Sequence, residues 1–477
     1  MGEEIKQSHF TAEDFARYKQ QLEIETDKLK QLFNQQQFAQ SHPVSGFELE
    51  AWLVDEHFRP LPINDVFLKQ FNNPLASPEL ASFNIEVNTE PRLLQGHVFS
   101  AMHQSLNETW AAARQTAASL GARVVMCGIL PSVLNEDLSL AHMSNMVRYR
   151  VLNREVLQRR RGIPMTLDIN GVEHLKVVHR DVMLESAATS FQIHMQINQQ
   201  QAARIYNASQ ILCAPIMAIS ANSPYLFGKD LWDETRIPLF EQAVAIGGYE
   251  GAAFGPIHRV TFGSGYVKKD LMECFVENLQ HYPILLPEAL YKEPEKLPHL
   301  RLHNGTIWRW NRPLIGFDEH GEIHLRIEHR IVPAGPSTID AIANAAFYYG
   351  LVSALAQREI APESQLAFSD ARDNFYRCAQ LGLRAQVQWL DNKRHSIAQV
   401  LETELLPMAY AGLQSLDIAQ SDINEYLGVI RARLQTRTNG TNWQRAFVSK
   451  HGRDMQALTA QYYTQQNSGN PVHEWTV

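Results

Sequence analysis

Apolar and polar residues alternate in four short segments: SGFELEAWLVD from Ser45, SFNIEVNTEP from Ser82, SFQIHMQI from Ser190 and EIHLRIEHRI from Glu322. Successive side chains of a β-strand point to opposite faces, so a period of two predicts a strand with one apolar and one polar face. We therefore predict four half-buried strands, each with its apolar face directed into a core.

The polar faces of these strands have an unusual composition. Alternation alone is usual in an antiparallel sheet with one solvated face, and that is one interpretation. A solvated face, however, usually carries Lys, Ser and Thr, whereas these faces contain no lysine. They concentrate residues suited to metal and phosphate binding, namely Glu48, Glu50, Asn84, Glu86, Asn88, Glu90, Gln192, His194, Gln196, His324, Arg326, Glu328 and Arg330.

The acidic residues on these faces need a cation. Glu48 and Glu50 share one strand face and lie about 7 Å apart. If Glu86 and Glu328 converge with them, each pair repels by roughly 2 kcal/mol at an effective dielectric constant near 20. Carboxylates with one histidine and several phosphate or water oxygens favour Mg²⁺ or Mn²⁺ over zinc. Two-metal sites of this kind hold their ions about 3.5–4 Å apart.

The rest of the pattern divides the chain into four parts. Residues 1–44 form a helical lead-in, with an amphipathic helix from residue 11 to about 40. Residues 45–336 mix strands, helices and Gly- or Pro-containing loops, which predicts a catalytic domain of the α+β class. Residues 337–465 are helical and are expected to pack on that domain. Residues 466–477 are polar and are expected to form a disordered tail.

Composition excludes several classes of function. The 477 residues carry a net charge of -8, which argues against nucleic acid as a partner and favours small-molecule substrates. The four cysteines have no metal-ligand or disulfide spacing, as is usual in a reducing cytosol. We find no apolar signal core and no long apolar run, so we expect a cytoplasmic protein without a membrane anchor.

Several motifs, in order, resemble segments of the glutamate-cysteine ligases of the plant and bacterial type. They are GFELEAWLVD, RYRVLNREVL from Arg148, ANSPYLFG from Ala221, HNGTIWRWNRP from His303, LRIEHRIVPA from Leu325 and DNFYRCAQLGLRA from Asp373. The resemblance covers nearly the whole chain. It implies the catalytic fold shared with glutamine synthetase and guanido kinases, a curved, mainly antiparallel sheet with flanking helices and a helical C-terminal portion. The concave face of that sheet holds the nucleotide, metals and substrates.

The resemblance also implies roles for individual residues. It implies ATP and Mg²⁺ (or Mn²⁺) as cofactors, with the metal ligands Glu48, Glu50, Glu86, His194 and Glu328. It implies catalytic roles for Arg309, Glu328 and Arg330, with ATP contacts from Gln192, Arg309 and Arg330. It implies substrate contacts from Asn88, Arg148, Tyr149 and Arg236.

The reaction implied is amide formation between a carboxylate and an amine, here the γ-carboxylate of glutamate and the amine of cysteine, the first step of glutathione synthesis. A carboxylate is a poor electrophile, so ATP first converts it to an acyl phosphate that the amine attacks. Two alternatives stay open, a carboxylate-amine ligase with another acid or amine and a phosphagen-type kinase. The Gly-x-Glu-x-Glu strand and the Glu-x-Arg pair count against the kinase. The sequence leaves a monomer and a homo-oligomer equally open.

Overall fold

The computed structural model describes residues 4–40, 42–246, 258–290 and 293–477. Its strands are β1 (Val44–Val54), β2 (Ala76–Pro78), β3 (Asn84–Asn88), β4 (Arg92–Leu93), β5 (Arg123–Val125), β6 (Met165–Asn170), β7 (His174–His179), β8 (Phe191–Ile197), β9 (Tyr225–Leu226), β10 (Lys229–Asp230), β11 (Val260–Thr261), β12 (Trp308–Arg309), β13 (Asn311–Phe317), β14 (Ile323–His329), β15 (Gln386–Gln388) and β16 (Arg394–Ser396).

The α-helices are α1 (Ala12–Asn34), α2 (Asn64–Phe71), α3 (Val98–Ser119), α4 (Val147–Arg159), α5 (Ala202–Ser220), α6 (Arg236–Ala243), α7 (Met272–His281), α8 (Pro298–Asn304), α9 (Thr338–Ala356), α10 (Pro362–Gln365), α11 (Phe368–Leu381), α12 (Ile397–Val400), α13 (Leu406–Ser415), α14 (Gln420–Thr436), α15 (Gly440–His451) and α16 (Met455–Gln466). Helix α1 begins with a capping box, in which the Thr11 hydroxyl accepts from the Asp14 N–H and the Asp14 carboxylate accepts from the Thr11 N–H.

The main sheet has the strand order β13-β14-β8-β1-β3-β2, and all of these neighbours are antiparallel. Strands β4 and β5 pair with the two ends of β1. The four strands predicted from alternation are β1, β3, β8 and β14, and they are consecutive in this sheet. The sheet curls into an antiparallel half-barrel, so the predicted α+β class and curved sheet are confirmed.

The apolar face of the sheet forms the main core. Phe47, Leu49, Phe191, Ile193 and Ile327 are all buried, and helices α3, α5 and α9 belong to the same core cluster. Within the described part of the chain, one helix, α9, is long and apolar enough to cross a bilayer. Because 83% of its most apolar stretch is buried inside the protein, α9 serves as a core helix.

The helical C-terminal portion packs closely on the catalytic sheet. Helix α9 contacts both β8 and α13, and α13 approaches α9 through two glycines. A Cβ added to Gly412 would lie 1.9 Å from the carbonyl oxygen of Gly350, so only glycine allows this helix spacing. The boundary placed at residue 336 stays a prediction.

The tail expected to be disordered is packed instead. Val472 is fully buried and Trp475 is 6% exposed, and the Trp475 ring packs edge-on against Trp443 and Tyr462. The segment is also held by a hydrogen bond from the Val472 N–H to Asp340 at 2.9 Å. Two large apolar side chains in a polar stretch therefore suffice to order it, because aromatic residues contribute so much buried area.

Candidate active site

Three residues from three neighbouring strands meet on the concave face and form what we call the histidine cluster: Glu48, His194 and Glu328. Strand register brings them together, since Glu328 lies opposite His194 and Glu48 lies on the next strand. The Nε2 atom of His194 is 3.4 Å from Glu48 Oε1 and 3.7 Å from Glu328 Oε1. One ligand atom of each residue lies within 4.8 Å of the others, so a single metal ion fits between them.

A second group, the acid cluster, consists of Glu50, Glu79 and Glu86. Glu50 on β1 lies directly opposite Glu86 on β3, and Glu79 follows the short strand β2. Their ligand atoms also lie within 4.8 Å of one another. Sequence reasoning missed Glu79, because β2 has only three residues and shows no alternation.

Charge is balanced in the histidine cluster. Burial opposes ionisation of Glu328, but the guanidinium groups of Arg312 and Arg330 hold its pKa well below the usual range. Burial lowers the pKa of His194 to about 4, so its imidazole is neutral at neutral pH. Within the described part of the chain the buried Nε2 atom has no hydrogen-bond partner, which leaves it able to ligate a metal ion.

Charge is unbalanced in the acid cluster. Burial and the neighbouring Glu86 raise the pKa of Glu50 to about 7. Burial, together with other carboxylates, also raises the pKa of Glu79 and of Glu86. These carboxyl groups resist ionisation when no cation is present. A bound divalent cation would stabilise their ionised form.

Arg330 and Gln192 join the two clusters. The Arg330 guanidinium donates to Glu328 Oε2 at 2.9 Å and to the Gln192 side-chain oxygen. The Gln192 amide in turn donates to Glu50 Oε1 at 2.8 Å. Seven of the predicted site residues therefore form one connected polar surface: Glu48, Glu50, Glu86, Gln192, His194, Glu328 and Arg330.

Arg312 is a site residue that the sequence reasoning missed. It lies opposite Glu328 on β13 and donates two hydrogen bonds to the carboxylate, at 2.7 and 2.9 Å. This two-pronged geometry is the strong form of an Arg–carboxylate pair. Alternation could not have found it, because Arg312 shares its side of β13 with Leu314 and Gly316, and NRPLIGF has no regular polar face.

Two cavities open from the histidine cluster. The first has a volume of about 200 Å³ and combines apolar walls with basic side chains, including Lys296, Arg301, Arg312 and Arg326. The second has a volume of about 770 Å³ and is polar, with Asn88, His194 and His324 among its walls. Glu48 and Arg326 line both, so substrates in the two cavities would meet at this cluster.

Comparison with known proteins decides the family. A sequence model of glutamate-cysteine ligase family 2 matches residues 44–465. The chain belongs to this family. It is a glutamate-cysteine ligase-like enzyme, an ATP-dependent carboxylate-amine ligase. No match is found among curated protein sequences.

Two solved ligase structures resemble this chain, and the first of them shares its fold. Glutamate-cysteine ligase from Francisella tularensis in complex with AMP has a TM-score of 0.53 and 11% identity, over 91% of this chain and 90% of that one. A bifunctional glutathione synthetase from Pasteurella multocida has a TM-score of 0.47 and 11% identity, over 94% of this chain and 55% of that one. At this identity the likeness extends to the fold alone.

Arg236 of the ligase is fully engaged with its own chain. It is 2% exposed, and its guanidinium donates to Glu234 at 3.1 Å and to the backbone carbonyls of Arg330 and Ile331. Its side chain also lies 5.6 Å from the Trp310 ring. Arg236 therefore holds the backbone at Arg330, while its predicted substrate contact stays a prediction.

Arg309 of the ligase forms its hydrogen bonds away from both clusters. It donates to Glu277 at 2.7 Å and to Asn278 at 2.6 Å, both on α7, and it is 1% exposed. Its predicted contact with ATP stays a prediction. Phe240 packs on Trp308 and on Trp310 in the same segment, so both tryptophans contribute to packing.

The remaining predicted substrate residues occupy the rims of the ligase site. Asn88 lines the larger cavity and donates to Glu86 at 2.9 Å. Arg148 lines the smaller cavity at the first turn of α4, and Tyr149 is buried beside it.

The first described residues, Glu4 and Ile5, form part of the wall of the smaller cavity. The Glu4 carboxylate accepts hydrogen bonds from the backbone N–H groups of Val147 and Arg148, at 3.1 and 3.0 Å. Ile5 is 3% exposed. A carboxylate thus occupies the N-terminal end of α4, a position suited to anions.

Proposed function

We propose that this ligase joins the γ-carboxylate of glutamate to the amine of cysteine at the expense of ATP, with Mg²⁺ or Mn²⁺, in the first step of glutathione synthesis. The observation that carries the proposal is the pair of metal-ligating clusters linked by Arg330 and Gln192 on the concave face of a family 2 ligase.

The residues divide the chemistry between them. The histidine and acid clusters together supply six donors for divalent cations, which would neutralise phosphate oxygens and position ATP for in-line transfer. Arg330 lies between the clusters, where its guanidinium would stabilise the charge that develops on the transferring phosphoryl group. Activation of the carboxylate as an acyl phosphate gives the amine an electrophile that it can attack.

The two cavities suit the two kinds of substrate. The smaller one offers apolar walls for a base and basic side chains for phosphates, which supports nucleotide binding there. The larger, polar one supports amino-acid binding. The four cysteines are all buried free thiols, which supports a cytoplasmic location.

The test is a screen of amino-acid pairs. Purified enzyme with ATP and Mg²⁺ is expected to release phosphate and form one dipeptide, identified by mass spectrometry, only when glutamate and cysteine are both present. Controls omit one amino acid or replace cysteine by serine. Ligation of a different acid or amine in preference to this pair would overturn the substrate assignment and leave the ligase assignment intact.

A further inference from the structure

The chain forms a β-bulge just beyond the end of β14. His329 lies opposite Ile193 on β8, but Pro333, four residues later, lies opposite Ser190, which is only three residues earlier on β8. One extra residue is therefore present within 330–332. Bulges bend a strand and change the direction of a side chain, and they are frequent beside active sites.

Arg236 supplies hydrogen bonds that the ladder lacks at the bulge. An extra residue in a strand is left out of the ladder, so its buried carbonyl needs another donor. The Arg236 guanidinium donates to the carbonyl oxygen of Arg330, at 3.2 Å, and to that of Ile331. The Arg330 N–H in turn donates to the Trp310 carbonyl at 2.9 Å. The main chain of Arg330 is therefore held at both its N–H and its carbonyl group.

Glu234 holds the Arg236 guanidinium in place. The Glu234 carboxylate is fully buried, and its two oxygens accept from Arg236 Nε at 3.1 Å and from the Asn222 N–H at 2.8 Å. The Arg236 N–H donates to the Ser223 hydroxyl at 3.2 Å. Hydrogen bonds between charged groups are stronger than neutral ones. Glu234, Arg236 and the loop at Asn222 and Ser223 therefore form one buried unit that is joined to the bulge.

The pair Glu234 and Arg236 is set back from the substrate cavities. As far as the structure describes their walls, neither residue lines either cavity that opens from the histidine cluster. Arg330 is the residue that reaches the clusters, since its guanidinium donates to Glu328 at 2.9 Å and to Gln192. A displacement of about 1 Å in such a group can lower a rate by about 10²-fold.

We propose that Glu234 and Arg236 form a positioning clamp, which sets the direction of the Arg330 guanidinium by holding the two carbonyl groups of the bulge. The effect of the clamp on catalysis rests on the role of Arg330 in the proposed function. Glu234 and Arg236 are positioning residues, and they change the rate through Arg330.

The first experiment follows the backbone without catalysis. Hydrogen–deuterium exchange of the full-length enzyme is measured by mass spectrometry in peptides that cover residues 328–334. Arg236→Lys keeps the charge beside Glu234 and loses the planar fork that reaches two carbonyls, so exchange in these peptides is expected to become about tenfold faster. Unchanged exchange would overturn the clamp. Glu234→Gln serves for both experiments if Arg236→Lys does not fold.

The matched control is Arg433→Lys. Arg433 is likewise 1% exposed, and its guanidinium donates to Asp340 and Asn344 on α9. The control variant is expected to lower Tm, as Arg236→Lys does, and to leave both kcat and exchange at residues 328–334 unchanged. Equal effects of the two variants on kcat would show that loss of stability alone explains the result, and would overturn the clamp.

The second experiment tests whether the clamp acts through Arg330. Arg236→Lys is expected to lower kcat about 10–100-fold, while KM for ATP and for each amino acid changes less than about twofold. In an Arg330→Ala background, Arg236→Lys should lower kcat by less than about twofold more, because the group that it positions is gone. Losses that multiply in the double variant would overturn the proposal. A rise in KM for one amino acid at wild-type kcat would show a direct substrate contact and would overturn it as well.

The two experiments distinguish failure of the clamp from failure of the proposed function. Wild-type kcat in Arg330→Ala, with faster exchange in Arg236→Lys, would contradict the role proposed for Arg330 and still support the clamp on the backbone. Lowered kcat in Arg330→Ala, with unchanged exchange in Arg236→Lys, would support the proposed function and overturn the clamp.

Discussion

The histidine cluster and the acid cluster occupy adjacent parts of one sheet face, yet their charges are handled in opposite ways. In the histidine cluster, Arg312 and Arg330 neutralise Glu328, so the pKa of this carboxyl is depressed. In the acid cluster, burial and the facing carboxylate of Glu86 raise the pKa of Glu50 to about 7. The chain therefore builds one metal site that is stable when empty and another that favours an ion.

The largest expected effect comes from removing single metal ligands from each cluster. Replacing Glu48, Glu50 or Glu328 by Gln removes a metal ligand without removing a core group, so ATP-dependent ligation is expected to fall below detection while circular dichroism stays native. Initial rates and folded content are measured on each variant. Near-normal turnover in all three variants would contradict the interpretation of both clusters as metal sites.

The next effect concerns the link between the clusters. Arg330→Ala is expected to lower kcat by about 10²–10³-fold, the usual scale for loss of one preorganised donor, with a smaller change in ATP affinity. Arg330→Lys should rescue poorly, since it keeps the charge and loses the planar two-pronged contact. If Arg330 served only an ion pair, both variants would keep wild-type kcat and shift Tm slightly.

The smallest expected effect is a difference between the two clusters in how they change the stability of the metal-free enzyme with pH. Glu50 has a folded pKa above its unfolded value near 4.5, so its favourable contribution is present below pH 4.5 and is lost as pH rises to about 7. Glu50→Gln is therefore expected to stabilise the metal-free enzyme at pH 8, by up to about 3 kcal/mol. Glu328 has a depressed folded pKa, so its contribution is present at pH 8 and is lost as pH falls through the folded value. Glu328→Gln should destabilise the enzyme at pH 8.

Denaturant unfolding of the two variants at pH 5 and pH 8, with EDTA, measures this contrast. Added Mg²⁺ should stabilise wild type and should stabilise Glu50→Gln less. Destabilisation of similar size in both variants at pH 8 would show that the two clusters do not differ in charge balance.

The alternating pattern predicted the centre of this site because it depends on a local rule. Glu48, Glu86, His194 and Glu328 lie on strands long enough to show a period of two, and sheet register then brings them together. Arg309 was expected from the family resemblance and not from alternation. It lies on β12, which pairs with β11 outside the main sheet, and its guanidinium bonds to Glu277 and Asn278 on α7.

Residues outside long strands could not be predicted in the same way. Glu79 follows a three-residue strand, so it belongs to no periodic segment. Its position depends on how β2 packs beside β3, which is a tertiary property. The burial of Trp475 likewise depends on tertiary packing, because its ring partners Trp443 and Tyr462 lie up to about 30 residues earlier in the chain.

The course of residues 4–8 bears on how the enzyme is best produced for these measurements. Glu4 and Ile5 form part of a cavity wall, and the backbone N–H groups of Lys6 and Gln7 bond to Glu288 at 3.3 and 3.1 Å. A purification tag fused just before this segment could displace Glu4 and Ile5 from the cavity wall. The kinetic constants of every variant would then include that change. A tag joined through a flexible linker after Val477, which is 36% exposed, leaves the cavity untouched.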